Sequence, residues 1–191
     1  MHIFILKLLR IFPDLWNKIF IKLRKVKCGK NLMIYGRLNF RGSGEISIGD
    51  NVTIHSSPMY NSTAGGCITS LNSFDGATLK IGNNVGISHT AITAMKSVEI
   101  CDNVKIGSNS MITDTDFHPI DPEKRIIDDE AAVNTKPVKI EKNVFIGARS
   151  IILKGVTIGE NSVVGAGSVV TKSIPVGEIW AGNPAKFIKK V

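Results

Sequence analysis

The residues from Ile140 to Val176 repeat with a period of six. Aliphatic residues occupy every sixth position of this stretch: Ile140, Ile146, Ile152, Ile158, Val164, Val170 and Val176. A small or β-branched residue follows the first five of them four places on: Val144, Ser150, Val156, Ser162 and Ser168. An amphipathic helix would need apolar residues three and four apart, and glycines such as Gly155 and Gly159 would weaken it. A short strand and a tight corner in every six residues satisfy both features.

Repeats of this length stack as a solenoid, because each coil buries its aliphatic row against the row of the next coil. We therefore predict an all-β solenoid of parallel strands with unpaired edges only at its two ends. Imperfect copies of the repeat begin near residue 28, and regular copies resume at Leu79. The polar stretch between Ser56 and Thr78 lacks the period, which predicts a surface loop with one strand at Cys67–Leu71.

Composition limits the class of protein. The chain has 191 residues, of which 43% are hydrophobic, and this excludes a disordered chain and favours one folded domain with appendages. Its three cysteines form no CxxC pair, so we expect neither a disulfide framework nor a thiolate zinc site. A reducing cytosol fits this cysteine usage.

The net charge of +8 is concentrated at the N-terminus. Residues 1–30 contain eight Lys and Arg against one acid, a net charge of +7, and residues 31–191 have a net charge of +1. A nucleic-acid-binding domain would carry its basic residues across the folded body. The distribution therefore argues against a nucleic-acid partner.

Residues 1–27 have the pattern of an amphipathic α-helix, kinked or restarted at Pro13. Its charges, among them Lys7 and Lys18, leave no apolar run near the ~20 residues of a spanning helix, and no secretory cleavage motif follows. Its apolar face carries four aromatic residues: Phe4, Phe12, Trp16 and Phe20. Two interpretations remain open. The helix lies on an anionic membrane surface, or it caps the first coil or packs between subunits.

A long insertion interrupts the repeat from Phe117 to Pro137, after which the period restarts in phase. The insertion is rich in proline and acidic residues, and His118 is its second residue. A protruding loop of this length in so regular a solenoid is usually functional or disordered.

Four segments together carry a family resemblance. The IxIGxN coils, the loop DTDFHPIDPEKR, the run VFIGARSIILKGVTIGENSVVGAGSVVTKSIP and the ending AGNPAKFIKKV resemble the hexapeptide-repeat acyltransferases. The branch they resemble comprises the maltose/galactoside and surface-polysaccharide O-acetyltransferases. The resemblance covers roughly residues 30–191. It implies a left-handed parallel β-helix, an exception to the right-handed crossover rule, and a homotrimer that binds acetyl-CoA and acceptor in the grooves between subunits.

The resemblance also predicts how the chain is divided and what it does. We expect an N-terminal helical segment at 1–27 and an acyltransferase domain at 28–191, with the long loop at 117–137 and a C-terminal cap at 177–191. The expected activity is metal-independent transfer of an acetyl group from acetyl-CoA to a hydroxyl of a saccharide. The expected setting is surface polysaccharide or lipid-linked glycan biosynthesis, in the cytoplasm or peripherally on the inner face of the cell membrane.

Attack of a sugar hydroxyl on a thioester requires a general base with a pKa near the working pH, and histidine fits this requirement. The chain has four histidines: His2, His55, His89 and His118. The position of His118 in the family motif D-x-D-x-H-P assigns it as the base. No cysteine neighbours it in sequence, so direct transfer is simpler than an acyl-enzyme, with a backbone N–H meeting the tetrahedral oxyanion.

Five further residues are candidates for the acceptor side of the site. Asp114 and Asp116 either orient the imidazole or bind acceptor hydroxyls, and Arg125 holds either the loop or an anionic sugar. Ser88 and His89 occupy the coil where relatives place polar contacts to the acceptor.

The resemblance also assigns the coenzyme contacts. Pantetheine would lie along the edge of the β-helix at the backbone of Ala148 and Ala166, where Gly147, Gly165 and Gly167 permit close approach. Phe145 matches an aromatic residue near the thioester, and Trp180 either stacks on adenine or only covers the last coil. The candidates for contact with the phosphates are Thr171, Lys172, Lys186 and Lys189.

Two other classes of protein remain as alternatives. A γ-carbonic-anhydrase-like enzyme on the same fold needs three zinc-binding histidines, two of them close in sequence. His55, His89 and His118 are separated by 34 and 29 residues, which does not fit that pattern. The other alternative is a non-catalytic scaffold, which would not bind acetyl-CoA.

Overall fold

The computed structural model describes residues 2–61 and 68–191, with side chains from Ile11 onward. A helix, α1 (His2–Leu23), precedes a series of short strands, and a second helix, α2 (Pro122–Ile126), lies in the long loop. In chain order the strands are β1 (Lys27–Cys28), β2 (Met33–Gly36), β3 (Asn39–Arg41), β4 (Glu45–Ile48), β5 (Thr53–Ser56), β6 (Ser70–Ser73), β7 (Thr78–Ile81), β8 (Gly86–Ser88), β9 (Ala91–Ala94), β10 (Ser97–Ile100), β11 (Lys105–Ile106), β12 (Met111–Thr113), β13 (Val138–Ile140), β14 (Phe145–Ile146), β15 (Ile151–Ile152), β16 (Thr157–Ile158), β17 (Val163–Val164), β18 (Val169–Val170), β19 (Glu178–Ala181) and β20 (Lys186–Lys190). Short 3₁₀ turns occur at Pro58–Tyr60 and Glu130–Ala132.

The strands form three sheets, and each coil of the chain contributes one strand to each. Sheet A has the order β1-β4-β7-β10-β13-β16, sheet B the order β2-β5-β8-β11-β14-β17-β19-β20, and sheet C the order β18-β15-β12-β9-β6-β3. All pairs are parallel except the terminal pair of β19 with β20. The fold is a left-handed parallel β-helix with one N-terminal helix, as predicted. The strand predicted at Cys67–Leu71 lies slightly later, at β6, and Cys67 itself falls outside the described residues.

The core consists of three aliphatic ladders, one for each sheet. In sheet A, for example, Ile140 pairs with Ile100 on one side and Ile158 on the other. The predicted row is buried from Ile140 to Val170, with no more than 1% of any side chain exposed. Val176, the last member of the series, is wrongly placed in the core because 68% of it is exposed. Ile174 closes this ladder instead, through a parallel bridge to Ile158, because the chain leaves the regular coil two residues early.

Each pair of sheets meets at a corner, and the three corners differ in chemistry. The corner between sheets A and B carries an asparagine at a positive φ in coil after coil, a conformation that asparagine tolerates better than most residues. Each side-chain amide donates to the next asparagine over 2.9–3.2 Å, through the series Asn31, Asn51, Asn84, Asn103, Asn143 and Asn161. This ladder fixes the spacing of the coils along one edge.

Helix α1 covers the open N-terminal end of the core. The indole N–H of Trp16 donates to the carbonyl of Leu38 over 3.1 Å. The buried Asn17 amide donates to the carbonyl of Gly36 and accepts from the N–H of Leu38, each over 2.8 Å. Phe20 packs against the core from the same side of the helix. The helix therefore caps the first coil, which was one of the two predicted interpretations.

Helix α1 is a single element from His2 to Leu23 that includes Pro13, so the chain does not restart the helix there. Of the four aromatic residues predicted on its apolar face, Trp16 and Phe20 face the first coil. The side chain of Phe4 lies outside the described residues. None of the helices in the described ranges combines the length and apolar character needed to cross a bilayer.

Candidate active site

Residues 117–137, which we call the His118 arm, leave the β-helix at the corner between sheets C and A. The arm follows β12 and returns to β13, and a bridge between Thr115 and Thr135 closes its base. Arg125 in α2 donates to the carbonyls of Pro119 and Ile120, each over 2.9 Å. Arg125 therefore holds the arm together, which was one of its two predicted roles.

His118 is exposed near the start of the arm. It lines a cleft of about 220 Å³ with Phe117, Asp128, Glu130 and Val133. The acidic side chains Asp128 and Glu130 in this cleft are exposed, as His118 is. The structure therefore places the predicted base where it is accessible.

The two aspartates before His118 have distinct surroundings. Asp114 is fully buried, and its carboxylate accepts the backbone N–H groups of Met95, Lys96 and Ser97, each over 2.7 Å. A carboxylate that accepts several N–H bonds is strongly held, so Asp114 stabilises the turn of the preceding coil. Asp116 forms an ion pair with Lys154 and keeps its Oδ2 buried without a partner among the described residues. Contact with an acceptor remains a prediction for Asp116, whereas burial leaves Asp114 no exposed surface for such a contact.

Ala148 and Ala166 lie one coil apart on the corner between sheets B and C. No main-chain hydrogen bond engages the N–H of either residue within the described part of the chain. These N–H groups are the backbone donors that the predicted pantetheine site requires. The coils stack closely here, because a Cβ on Gly147 would lie 2.5 Å from the nitrogen of Ala166. A Cβ on Gly165 would lie 2.8 Å from the Cβ of Ala181, so coil packing alone requires both glycines.

The remaining coenzyme candidates lie in two different parts of the β-helix. Phe145 stands half exposed on the outer face of sheet B, and Lys186 and Lys189 are exposed on β20 at the end of that sheet. Thr171 and Lys172 are also exposed, but they follow β18 at the corner between sheets C and A. One chain therefore does not bring all the predicted phosphate contacts to one place.

Trp180 has a packing role in the structure. It pairs in register with Val164 and packs against the core, and its indole N–H donates to Glu178 over 2.7 Å. These contacts show that Trp180 covers the last coil. Stacking on adenine remains a prediction.

Ser88 and His89 lie on the same corner as Ala148, nearer the N-terminus. His89 has only 1% of its surface exposed, a φ of 45°, and no hydrogen-bond partner for either ring nitrogen in the described part of the chain. The pKa of His89 is lowered, chiefly by burial and in addition by the nearby His55. The Ser57 backbone opposes this shift in part, without completing a hydrogen bond. His55 stacks on Tyr35 with ring centroids 4.9 Å apart, and burial lowers its pKa too. Both histidines are thus suited to the neutral form, and burial favours a structural role for His89.

Sequence reasoning did not single out Asn109, one coil beyond His89. Its backbone N–H donates to the carbonyl of His89 over 3.0 Å, and it turns the corner at a φ of 61°. Its side-chain carbonyl is buried without a partner among the described residues, and such a group calls for an explanation. The sequence does contain a signal for this residue, because Asn109 occupies the position at which later coils have Arg149 and Gly167. Asn109 joins the polar candidates on this corner.

The predicted base and the predicted coenzyme edge start from different corners of one chain. His118 follows the corner between sheets C and A, and Ala148 lies on the corner between sheets B and C. Sheet C separates them by roughly 15 Å, at about 3.3 Å per residue. A general base must lie within hydrogen-bonding reach of the proton it removes. Neither corner on its own is therefore a complete active site.

The described residues contain no group of three or more His, Cys, Asp and Glu placed to hold a metal ion. The three-histidine cluster of a carbonic-anhydrase-like zinc site is therefore missing from this part of the chain.

Comparisons with known proteins agree with this architecture. A family model described as the hexapeptide repeat of succinyl-transferase matches residues 137–172. No curated protein sequence matches the chain. A point mutant of AntD, an N-acyltransferase from Bacillus cereus solved with dTDP and coenzyme A, is 30% identical with a TM-score of 0.67, over 88% of each chain. The chain belongs to the hexapeptide-repeat acyltransferases.

Other members of the family support the same assignment. A galactoside acetyltransferase solved with coenzyme A is 28% identical with a TM-score of 0.54, over 88% of this chain and 68% of that one. The hexapeptide-repeat acetyltransferase VCA0836 from Vibrio cholerae, solved with acetyl coenzyme A, shares the fold at 23% identity, with a TM-score of 0.55 over 84% and 71% of the two chains. The chain is accordingly an acyltransferase.

Proposed function

We propose that the protein transfers an acetyl group from acetyl-CoA to a hydroxyl of a saccharide in surface polysaccharide or lipid-linked glycan biosynthesis. The observation that carries the proposal is the exposed His118, held on an arm of a β-helix whose corner between sheets B and C carries free backbone donors. The similarity to a galactoside acetyltransferase supports a sugar hydroxyl as the acceptor.

In this proposal an imidazole nitrogen of His118 takes the proton of the acceptor hydroxyl while the oxygen attacks the thioester carbonyl. A backbone N–H stabilises the oxyanion of the tetrahedral intermediate. The C–S bond then breaks, and the departing coenzyme A sulfur receives the proton from the imidazolium. The transfer needs no covalent enzyme intermediate.

We further propose that the active unit is a homotrimer. A groove between two subunits would combine the corner of Ala148 and Ala166 from one with the arm of His118, and with Thr171 and Lys172, from the other. The arm also presents a set of exposed apolar side chains that its own chain does not cover: Phe117, Ile120, Ile126 and Ile127. Contact with a neighbouring subunit would bury them. Light scattering should show a trimer, and a fully active monomer would contradict this assembly.

One observation favours a second candidate function, N-acylation of an amino sugar. AntD, at 30% identity, is an N-acyltransferase and was solved with dTDP. An amine attacks as the neutral base, so its reaction depends less on a histidine and more on the ionisation of the amine. The two functions therefore differ in their dependence on pH and on His118.

The test uses the purified protein, labelled acetyl-CoA and a panel of neutral sugars, amino sugars, nucleotide amino sugars and lipid-linked glycans. Release of the coenzyme A thiol identifies the acceptor, and mild alkali then distinguishes a labile ester from a stable amide. The proposal predicts an alkali-labile product from a hydroxyl acceptor that forms slowly with His118→Ala. An amide product would instead establish the second function, and failure to bind acetyl-CoA would favour a scaffold.

We place the enzyme in the cytoplasm. The odd number of cysteines, without a CxxC pair, and the need for acetyl-CoA support this location.

A further inference from the structure

One face of α1 is apolar, exposed and directed away from the β-helix. Ile11, Leu15, Ile19 and Leu23 occur at every fourth position, which on a helix of about 3.6 residues per turn forms one continuous stripe. Phe12 widens it, and each of the five side chains is between 46% and 70% exposed. We call these five residues the α1 stripe.

The docked face of α1 lies on the other side of the helix. Trp16 and Asn17 are hydrogen-bonded to the first coil, and Phe20 packs on the core. Phe12 lies next to Trp16 at the border of the docked face, with ring centroids 6.3 Å apart, and the rest of the α1 stripe lies outside these contacts. Large apolar side chains aligned on one exposed face indicate a binding surface.

Cations border the α1 stripe. Lys18 and Lys22 are exposed. They follow Ile11 by seven and eleven residues, which is close to two and three helical turns, so they lie along the edge of the stripe next to Ile11. Near the opposite edge, the exposed guanidinium of Arg37 lies 5.4 Å from the ring centre of Trp16. The acid of this helix is Asp14, and the first thirty residues have a net charge of +7.

We infer that the α1 stripe docks the enzyme on an anionic phospholipid bilayer. An apolar stripe bordered by cations is the pattern of a helix lying in the membrane interface, with its apolar side chains among the acyl chains and its cations at the headgroups. A second copy of the chain fits less well, since stripe-to-stripe pairing would bring Lys18 and Lys22 near the same cations of the other copy.

Assembly would strengthen this docking. In the proposed trimer, rotation about the threefold axis places all three α1 helices at the same height along that axis. Three weak contacts on one surface then act together, and the avidity exceeds the affinity of a single helix. Docking would bring the enzyme to acceptors held in the membrane.

The test is co-sedimentation of the full-length protein with phosphatidylcholine vesicles that contain or lack phosphatidylglycerol, at low and high salt. Wild-type protein should sediment with the anionic vesicles at low salt and be released by high salt or by omission of phosphatidylglycerol. Replacement of two cations, Lys18→Gln with Lys22→Gln, should weaken binding about 30-fold. Replacement of two stripe residues, Leu15→Asn with Ile19→Asn, should weaken it at least about tenfold.

A matched control separates the α1 stripe from net charge alone. Lys80→Gln with Lys142→Gln removes the same charge from exposed positions on and next to sheet A and should leave binding within about twofold, because surface potentials act over about one Debye length. All variants should retain the circular dichroism spectrum and oligomeric state of wild type. Wild-type protein that ignores anionic vesicles at low salt would overturn the inference. Equal losses of binding in the stripe-flanking and the control lysine variants would overturn it too. So would a stripe variant whose oligomer dissociates, if the wild-type protein also binds no vesicles.

Discussion

Lys154 donates to the carboxylate of Asp116 over 2.5 Å, and this ion pair ties the root of the His118 arm to the following coil. Each of the two side chains is only 24% exposed, so water screens the pair less than it screens a surface pair. Asp116 stands two residues before the predicted base. The pair therefore links the position of His118 to the rigid stack of coils.

Replacement of Lys154 tests this link. Lys154→Met should lower the free energy of unfolding by about 1–2 kcal/mol, between the ranges for exposed and buried pairs. Urea denaturation measures the loss. Lys139→Met is the control, because Lys139 forms a more exposed pair with Glu141 over 2.9 Å and should remain close to wild type. Equal losses in the two variants would show that the Lys154 pair is an ordinary surface contact.

Stability should fall at acid pH because of His55 and His89. Burial lowers the pKa of each below its usual value of 6.5, so the unfolded chain binds more protons than the native chain as the pH falls. Their contribution is fully present above about pH 6.5 and is lost as the pH falls through the lowered values. The urea midpoint, followed from about pH 8 to about pH 5, should decline in wild type and decline less in His55→Gln with His89→Asn. Asparagine suits the positive φ of residue 89. Identical pH profiles for variant and wild type would refute this assignment.

The close stacking of the coils predicts different effects for two glycines of the same edge. Gly147→Ala places its methyl group against the backbone of Ala166 and should cost about 3 kcal/mol or more. A Cβ on Gly167 meets no atom within 4 Å, so the only cost of Gly167→Ala is backbone strain at its φ of 71°. That strain should lower the free energy of unfolding by about 1–2 kcal/mol. Denaturation of the two variants in parallel gives the comparison. A larger loss for Gly167→Ala would contradict the packing explanation.

The exposed lysines at the C-terminal end should act on coenzyme binding more than on catalysis. Lys172→Ala and Lys186→Ala should each raise the KM for acetyl-CoA about three- to tenfold with little change in kcat. Phosphate contacts far from the thioester stabilise the ground state and the transition state alike. Lys142→Ala, an exposed lysine at the corner between sheets A and B, is the control. A fall in kcat without a change in KM would move these lysines out of the coenzyme site.

The fold could be predicted because the six-residue period acts at every coil. A side chain such as Ile146 must point inward in any solenoid of this period, and it is fully buried. Val176 shows the limit of the pattern, since the chain leaves the coil before the period in the sequence ends. The orientation of α1 was not predictable for a similar reason. Large apolar side chains occur on the docked side and in the α1 stripe, and the hydrogen bonds of Trp16 and Asn17 with the first coil identify the docked side.

The candidate site was predictable in its residue types but not in its geometry. The loop motif identifies His118, yet the role of Asp114 depends on the turn at Met95–Ser97, which reaches it only through the stacking of coils. Similarly, no spacing in the sequence reveals that His118 and Ala148 start from different corners. Placement at different corners is the reason for proposing a site between subunits.

The most direct test of the proposed function is the steady-state rate of acetyl transfer by His118→Ala with the acceptor found in the panel. His118 is exposed and forms no hydrogen bond within the described residues, so the variant should keep the fold and its affinity for acetyl-CoA within a few-fold. Loss of the general base should lower kcat about 10²- to 10⁴-fold. A kcat above about a tenth of the wild-type value would contradict that expectation and the assignment of His118 as the base.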